Sequence, residues 1–327
     1  MLRGARLATQ ADAGTATAAA VGPRDFVLEC SGSASKHNSA CSLSQDAKHD
    51  GVYTCARTRV AAPLEIERLQ DHITRILSGY SALFPREQQP TKELVESAFS
   101  DAASAGSAMP GAEGKPLLVT IAAVPGEDKL PVVFWHAKAL PQACLDLPLV
   151  LLTDKKATPR NRQGDLAEVK RIAWVTDRAP LEALKSELQA DEVIMLDDTG
   201  NAVLEGLISN VFVVKEDGSL QTAEKDVLPG TMREAVFVAC NQLGIHVSLE
   251  SPLISDALEH QWAGLFLTSV MKPVVKVSHA RISRACDAQP KDIHFENEHP
   301  TITKVRNYLA QQFNAPETEK APQILKT

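Results

Sequence analysis

Alternation of apolar and polar positions begins at Gly51, where GVYTCARTRV reads as a strand with successive side chains on opposite faces. The period then changes. Ile66, Leu69, Ile73, Ile76 and Tyr80 recur at intervals of three and four, which predicts a helix over 64–80 with His72 and Arg75 together on the flank of its apolar stripe. A second helix is predicted over 91–105, and Pro110, Gly111, Gly114 and Pro116 mark the loop after it. The runs LLVTIAAV, PVVFWHAKAL and PLVLLT follow as strands, so this half reads as a small α/β unit.

Between Asp154 and Asp165 the chain turns polar and irregular, with Lys155, Lys156, Pro159, Arg160, Asn161 and Gly164 in close succession, and the connection between two units is expected there. The second half opens with a helix near 181–188. Hairpins follow in DEVIMLDDTGNAVLEG and LISNVFVVKEDGSLQTA, with turns at Asp198-Thr199-Gly200-Asn201 and Glu216-Asp217-Gly218. Pro229-Gly230 leads into a helix predicted over 231–243 that Gly244 ends. The strand IHVSLE, a helix over 255–261 and the apolar strand GLFLTSV complete the predicted core. The expected division is a poorly ordered leader over 1–50, a small α/β domain over 51–157, a larger domain over 165–315 and a tail over 316–327.

Composition narrows the class without naming a reaction. The 327 residues, 44% hydrophobic and 23% charged, suffice for two domains that each bury a core. A net charge of −7 lacks the basic surface that nucleic acid demands, although a local pocket for one phosphate stays open. Apolar runs such as Leu147–Leu152 fall well short of the roughly 20 residues that span a bilayer, so no membrane partner is expected. Cys30, Cys41, Cys55, Cys144, Cys240 and Cys286 form neither a CxxC pair nor a zinc spacing; reduced thiols and no metal are the simplest reading. Arg3 and Arg6 among Ala, Thr and Gly have the flavour of a transit peptide, interrupted by Asp12. A cytoplasmic location is expected, with import into a mitochondrion or plastid as the alternative.

Spacing by itself selects no reactive group. Six blocks in order do: GVYTCARTR, EIERLQDHITRI, GDLAEVKRIAWVTDR, DEVIMLDDTGNAVLEGLISNVFVV, DVLPGTMRE and GLFLTSV together resemble the class IV, D-amino-acid/branched-chain aminotransferase-like family. The most specific piece is LEGLISNVFVV followed by LPGTMRE, and YTCARTR with ITKV from Ile302 resembles a eukaryotic branch of that family. The resemblance implies a two-domain, mixed α/β fold of the D-amino-acid aminotransferase type and pyridoxal 5'-phosphate as cofactor. It further implies amino-acid and keto-acid substrates and a homodimer.

Carried over residue by residue, the resemblance makes Lys170 the catalytic lysine that holds the cofactor as a Schiff base, a role that needs a desolvated amine. Taken alone, a lysine between Val169 and Arg171 would read as a solvated surface residue. Glu205 matches the acid opposite the pyridine nitrogen, which lets the ring accept electrons. Arg75 matches the arginine on the cofactor phosphate, where a guanidinium offers two parallel donors. Thr231 and Met232 stand where a helix N-terminus would present N–H groups to that phosphate, and Ser269 and Val270 stand at a second phosphate position. Met232 and Val270 replace residues that carry hydroxyls in many relatives. Ile121 falls where bacterial D-amino-acid enzymes place a carboxylate-binding arginine, so D-specificity is not supported, and Tyr53 and Arg57 are the candidate substrate contacts instead. The runner-up activities are a lyase of the aminodeoxychorismate type and a binding protein that has lost catalysis.

Overall fold

In the computed structural model, residues 27–30, 41–42, 50–60, 62–126, 129–140, 145–155 and 168–314 are described, the first two stretches as backbone only. Most of the expected leader, the expected connection between Asp154 and Asp165 from position 156 onward, and the tail lie outside them. The first sheet contains β1 (Val27–Cys30), β2 (Cys41–Ser42), β3 (Val52–Arg57), β4 (Leu117–Pro125) and β5 (Pro131–Ala139), in the order β2-β1-β5-β4-β3 and antiparallel throughout. Two short pieces of the expected leader are therefore strands of this sheet. Helices α1 (Leu69–Leu83) and α2 (Lys92–Ser107) cover one face, burying Ile73, Ile76, Tyr80, Val95 and Phe99 against Val52, Ala56, Val119 and Ile121. Thr91 caps α2, its hydroxyl accepting from the Leu94 N–H at 3.2 Å.

The helix predicted from position 64 begins only at Leu69. Before it, Arg59 N–H donates to the Glu65 carbonyl and Glu67 N–H to the Arg57 carbonyl, so 65–67 folds back on the end of β3 as extended chain. Arg68 then turns through φ 55°, a left-handed conformation no helix can include.

The second sheet begins earlier than the pattern predicts. β6 (Asp146–Leu147) and β7 (Val150–Thr153), read above as the end of the first unit, join it because β7 lies parallel to β8 (Glu192–Leu196). Between them run α3 (Trp174–Asp177) and α4 (Ala179–Glu187). After β8 come β9 (Val203–Gly206), β10 (Asn210–Val214), β11 (Leu220–Gln221), α5 (Thr231–Leu243), β12 (Val247–Ser248), α6 (Ile254–Leu258), β13 (Gly264–Thr268), β14 (Val275–Val277), β15 (His279–Ser283), β16 (Lys291–His294) and α7 (Pro300–Asn314). The main path is β16-β15-β7-β8-β9-β10-β13-β14-β6, with β11 on β10 and β12 on β11. Strand alternation separates two cores: Val211, Val213, Leu265 and Leu267 face one way, while Phe212, Val214 and Phe266 face α5 and α7. Phe212 and Phe266 stack with centroids 5.0 Å apart. Among the described residues no helix is long and apolar enough to cross a membrane, and Cys55, Cys240 and Cys286 are free thiols.

Candidate active site

β3 is an edge strand, and 170–172 docks on it. Tyr53 N–H donates to the Lys170 carbonyl at 2.9 Å, Ile172 N–H to the Gly51 carbonyl at 2.8 Å, and Val52 bridges Arg171. The docked segment satisfies backbone groups that an edge leaves open and fixes the Lys170 backbone between the two sheets. Asp50 pins it further, accepting from Arg171 Nε at 2.6 Å and from Ala173 N–H at 3.2 Å. The Lys170 ammonium lies 4.7 Å from the centre of the Tyr53 ring, a cation–π contact. Lys170 and Tyr53, both singled out in the sequence, are thus neighbours.

Alternation along β3 assigns the rest. Tyr53, Cys55 and Arg57 point to the face away from α1 and α2; Val52, Thr54 and Ala56 point toward the helices. The Thr54 hydroxyl meets His72 Nδ1 at 2.7 Å, and His72 Nε2 is buried with no hydrogen-bond partner among the described residues. Burial first, then the charges of Arg75, Arg68 and Lys170, hold His72 well below the usual imidazole range, so it is neutral. Ile121 is fully buried on the helix side; Thr120 and Ala122 instead pair with Cys55 and Tyr53 across the open face. Ile121 thus faces the helices, and Thr120 and Ala122 are the β4 residues on the face shared with Tyr53 and Cys55.

The segment 228–230 ties the second sheet to α1. Arg75, one turn after His72, donates from its guanidinium to the Pro229 carbonyl. Burial draws Arg75 down to about 10, against the opposing influence of Cys55, Asp71, Tyr53 and Glu234. Asn210 Nδ2 donates to the Leu228 carbonyl at 2.8 Å, and Leu228 N–H donates to Glu205 Oε2 at 2.9 Å. Asn210 on β10 pairs with Glu205 on β9 and with Thr268 on β13, so Ser269 and Val270 leave the sheet at this same end. Gly230 precedes α5, and a Cβ there would stand 2.0 Å from Asn210 Oδ1. Only glycine lets the chain pass this close and aim the helix N-terminus at the cluster.

Among the described residues no side chain caps α5, and the first N–H groups of a helix have no partner within it, which suits them to an external acceptor. Thr231 Oγ1 is buried there and lacks a partner among the described residues. Met232 is 2% exposed and buried in the protein. Arg233 turns away from the cluster, donating to the Ala223 carbonyl at 2.6 Å and lying over Phe237. Ser269 is committed to its turn, its hydroxyl accepting from Lys272 N–H at 3.1 Å.

Two groups escaped the sequence reading. Glu192 is buried and accepts from Val193 N–H, from Leu207 N–H at 3.3 Å and from the Ser209 hydroxyl at 3.1 Å, bracing the turn between Glu205 and Asn210. Burial pushes its carboxyl up. Glu67, 2% exposed, sits 3.5 Å from Arg57 Nε, so Arg57 is held toward Glu67 and Phe313. Neither acid stands out in sequence, because each lies in an ordinary mixed run.

The chain matches Amino-transferase class IV over residues 51–280. It belongs to the class IV aminotransferase family. Members of that family use pyridoxal phosphate. Solved structures with the same fold include a T.th. branched-chain amino acid aminotransferase with pyridoxamine 5'-phosphate, at 20% identity, covering 86% of this chain and 92% of that one with a TM-score of 0.68. The fold IV transaminase CpuTA1 of Curtobacterium pusillum is likewise 20% identical, with coverage of 80% and 86% and a TM-score of 0.64. A hypothetical aminotransferase from Mycobacterium tuberculosis in its pyridoxal-phosphate-bound form is 16% identical, with coverage of 79% and 88% and a TM-score of 0.61. No curated protein matches the chain. This class IV member has the mixed α/β fold of those enzymes.

Residues here fit such a cofactor. An uncapped helix N-terminus, the orphaned Thr231 hydroxyl and the Arg75 guanidinium supply donors for a phosphate. Glu205 is a buried carboxylate that could face a protonated ring nitrogen, and Lys170 an amine that could meet the aldehyde.

Proposed function

We propose that this protein is a pyridoxal-phosphate-dependent aminotransferase moving an amino group between an amino acid and a 2-oxo acid, with Lys170 as its catalytic lysine. The observation that carries the reading is a set of three contacts, Lys170 over Tyr53, Arg75 on the Pro229 carbonyl and the preceding Leu228 N–H on Glu205. When bound, the cofactor supplies an electron sink for the substrate Cα. The protein's part is positional and electrostatic. Lys170, its backbone fixed on β3, would move a proton at Cα. Glu205, held by Leu228 N–H and Asn210, would keep a proton on the ring nitrogen. Arg75, Thr231 and the first N–H groups of α5 would anchor the phosphate, and Met232 costs the site little because Thr231 brings a hydroxyl. Val270 contributes no hydroxyl, which leaves Ser269 with its backbone at the second phosphate position.

Purified protein mixed with pyridoxal phosphate should develop a visible absorbance band, borohydride should fix the cofactor to the chain, and Lys170→Ala should lose both. Amino donors are then screened with and without a 2-oxo acid. Turnover that needs the oxo acid supports the transaminase; turnover of one substrate alone assigns a lyase. No band in the wild type overturns both.

A further inference from the structure

The segment 65–67 folds back along the end of β3 and forms a ladder of four charges. Glu67 faces Arg57 at 3.5 Å and Glu65 faces Arg59 at 3.3 Å. Helix α7 closes the far side, with the Phe313 ring 5.9 Å from the Arg57 guanidinium carbon and the Phe313 carbonyl accepting from Arg59 at 3.5 Å. The Arg68–Asp71 pair stands at the start of α1. Arg57 and Glu67 are near neighbours yet loosely joined, since among the described residues neither Arg57 Nε nor Glu67 Oε2, both buried, has a hydrogen-bond partner. A buried ion pair whose facing atoms lack good hydrogen-bond geometry recovers little of its desolvation cost. Arg57 shares its face of β3 with Tyr53, four residues and about 13 Å of strand away. It therefore addresses the end of a bound molecule distal to Lys170.

We propose that Arg57 and Glu67 form a proton-gated anion subsite that takes the distal carboxylate of an acidic substrate when Glu67 is protonated. The inference rests on the reading of this cleft as the substrate site. At high pH the Glu67 carboxylate occupies Arg57 and repels a second anion. At low pH the neutral acid releases the guanidinium, whose planar fork suits a carboxylate better than the present skewed pair. Binding at high pH is accompanied by uptake of one proton from solvent onto Glu67, and no bond in the ligand changes. Burial pushes Glu67 up to about 7 despite Arg57 and Arg59, which puts the gate near neutrality.

The test is calorimetric titration of the full-length protein with glutarate, and with butyrate as the monocarboxylate control, at pH 6 and pH 8 in buffers of different ionisation enthalpy. Glutarate should bind about tenfold more weakly at pH 8, the ratio expected for a required proton on a group titrating at about 7. Proton uptake should approach one at pH 8 and zero at pH 6. Butyrate should not share this dependence, and Glu67→Gln should bind glutarate alike at both pH values. Glutarate affinity independent of pH in the wild type, no glutarate binding at either pH, or a pH dependence that survives Glu67→Gln would each overturn the gate. The wild-type measurement needs no variant to fold. A gate found in a protein that develops no cofactor band would sink the aminotransferase reading and leave the anion subsite standing.

Discussion

Two buried acids, Glu205 and Glu67, are 4% and 2% exposed, and the protein treats them in opposite ways. Glu205 is held by neutral donors: Leu228 N–H and the Asn210 amide, both placed by the register of β9, β10 and β13. Glu67 faces two guanidinium groups, and its Oε2 has no hydrogen-bond partner among the described residues. Cations nearby do not by themselves keep a buried carboxylate charged, because desolvation grows with burial while a skewed pair collects little in return. Geometry decides more than charge count. The first arrangement fixes an atom in place; the second leaves a group ready to exchange partners.

The largest effect should come from breaking the fixed acid. Glu205→Gln keeps the volume but offers an amide in place of the carboxylate, and turnover should fall by about 100-fold or more, as when a preorganised electrostatic partner is removed from an active site. Glu205→Ala should in addition leave the Leu228 N–H buried without its acceptor and cost about 1–3 kcal/mol of stability, read by urea unfolding. Gly230→Ala probes the same corner from its other side. Its Cβ would stand 2.0 Å from Asn210 Oδ1, so the Leu228–Pro229–Gly230 segment must shift, with a similar loss of about 1–3 kcal/mol and weaker cofactor binding. Unchanged cofactor affinity in Gly230→Ala would mean that this corner does not position the cofactor.

Smaller effects should appear as slopes against pH, and the two buried titrating groups of the first unit have opposite signs. Glu67 is raised from 4.5 to about 7 on folding, so its contribution to stability is present in full below 4.5 and is lost as pH rises through 7. Glu67→Gln should therefore be the more stable protein at pH 8, by at most about 3 kcal/mol, and gain least at pH 4.5. His72 is lowered on folding, so stability is lost as pH falls below 6.5, where the unfolded chain takes up a proton that the native imidazole refuses. The limiting slope is about 1.4 kcal/mol per pH unit. Between pH 4.5 and 6.5 the two groups offset each other in the wild type. His72→Gln should expose the Glu67 slope alone and Glu67→Gln the His72 slope alone; parallel curves for both variants would show that neither group titrates as described.

What the sequence reveals divides along a similar line. Helix α5 is legible to the residue, Thr231 to Leu243 with Gly244 behind it, because an amphipathic period and a left-handed glycine terminate it locally. Helix α1 is legible in its apolar stripe but not in its start, since 65–67 is drawn into extended form by pairing with Arg57 and Arg59, a contact between segments that periodicity does not encode. PLVLLT reads correctly as a strand and wrongly as a member of the first unit, because a short apolar strand carries no mark of which sheet will bury it. In the candidate site, ordered motifs are what point to Lys170, Glu205 and Arg75. Glu192 and Glu67 are missed because burial of an acid depends on what folds over it. Which face Ile121 takes is equally hidden, because one step along a strand reverses the face.

The smallest effect tests whether the second phosphate position is finished. Val270 follows Ser269 in the turn after β13, half-buried, while the Ser269 hydroxyl is engaged with Lys272 N–H. A hydroxyl at position 270 would be a new donor at the end of the sheet where Glu205, Asn210 and α5 converge. Val270→Thr is nearly isosteric, so packing changes little, and one added hydrogen bond to a bound phosphate contributes about 0.5–1.5 kcal/mol. Fluorescence titration should then show pyridoxal phosphate binding tightened by about 3- to 10-fold, with the Lys170-dependent absorbance band unchanged in position. An affinity left where it was would place Val270 outside the phosphate's reach and assign the anchoring to Arg75, Thr231 and the first turn of α5. Weaker binding would mean that the valine methyl packs against the cofactor, which makes Val270 an apolar contact of the bound group.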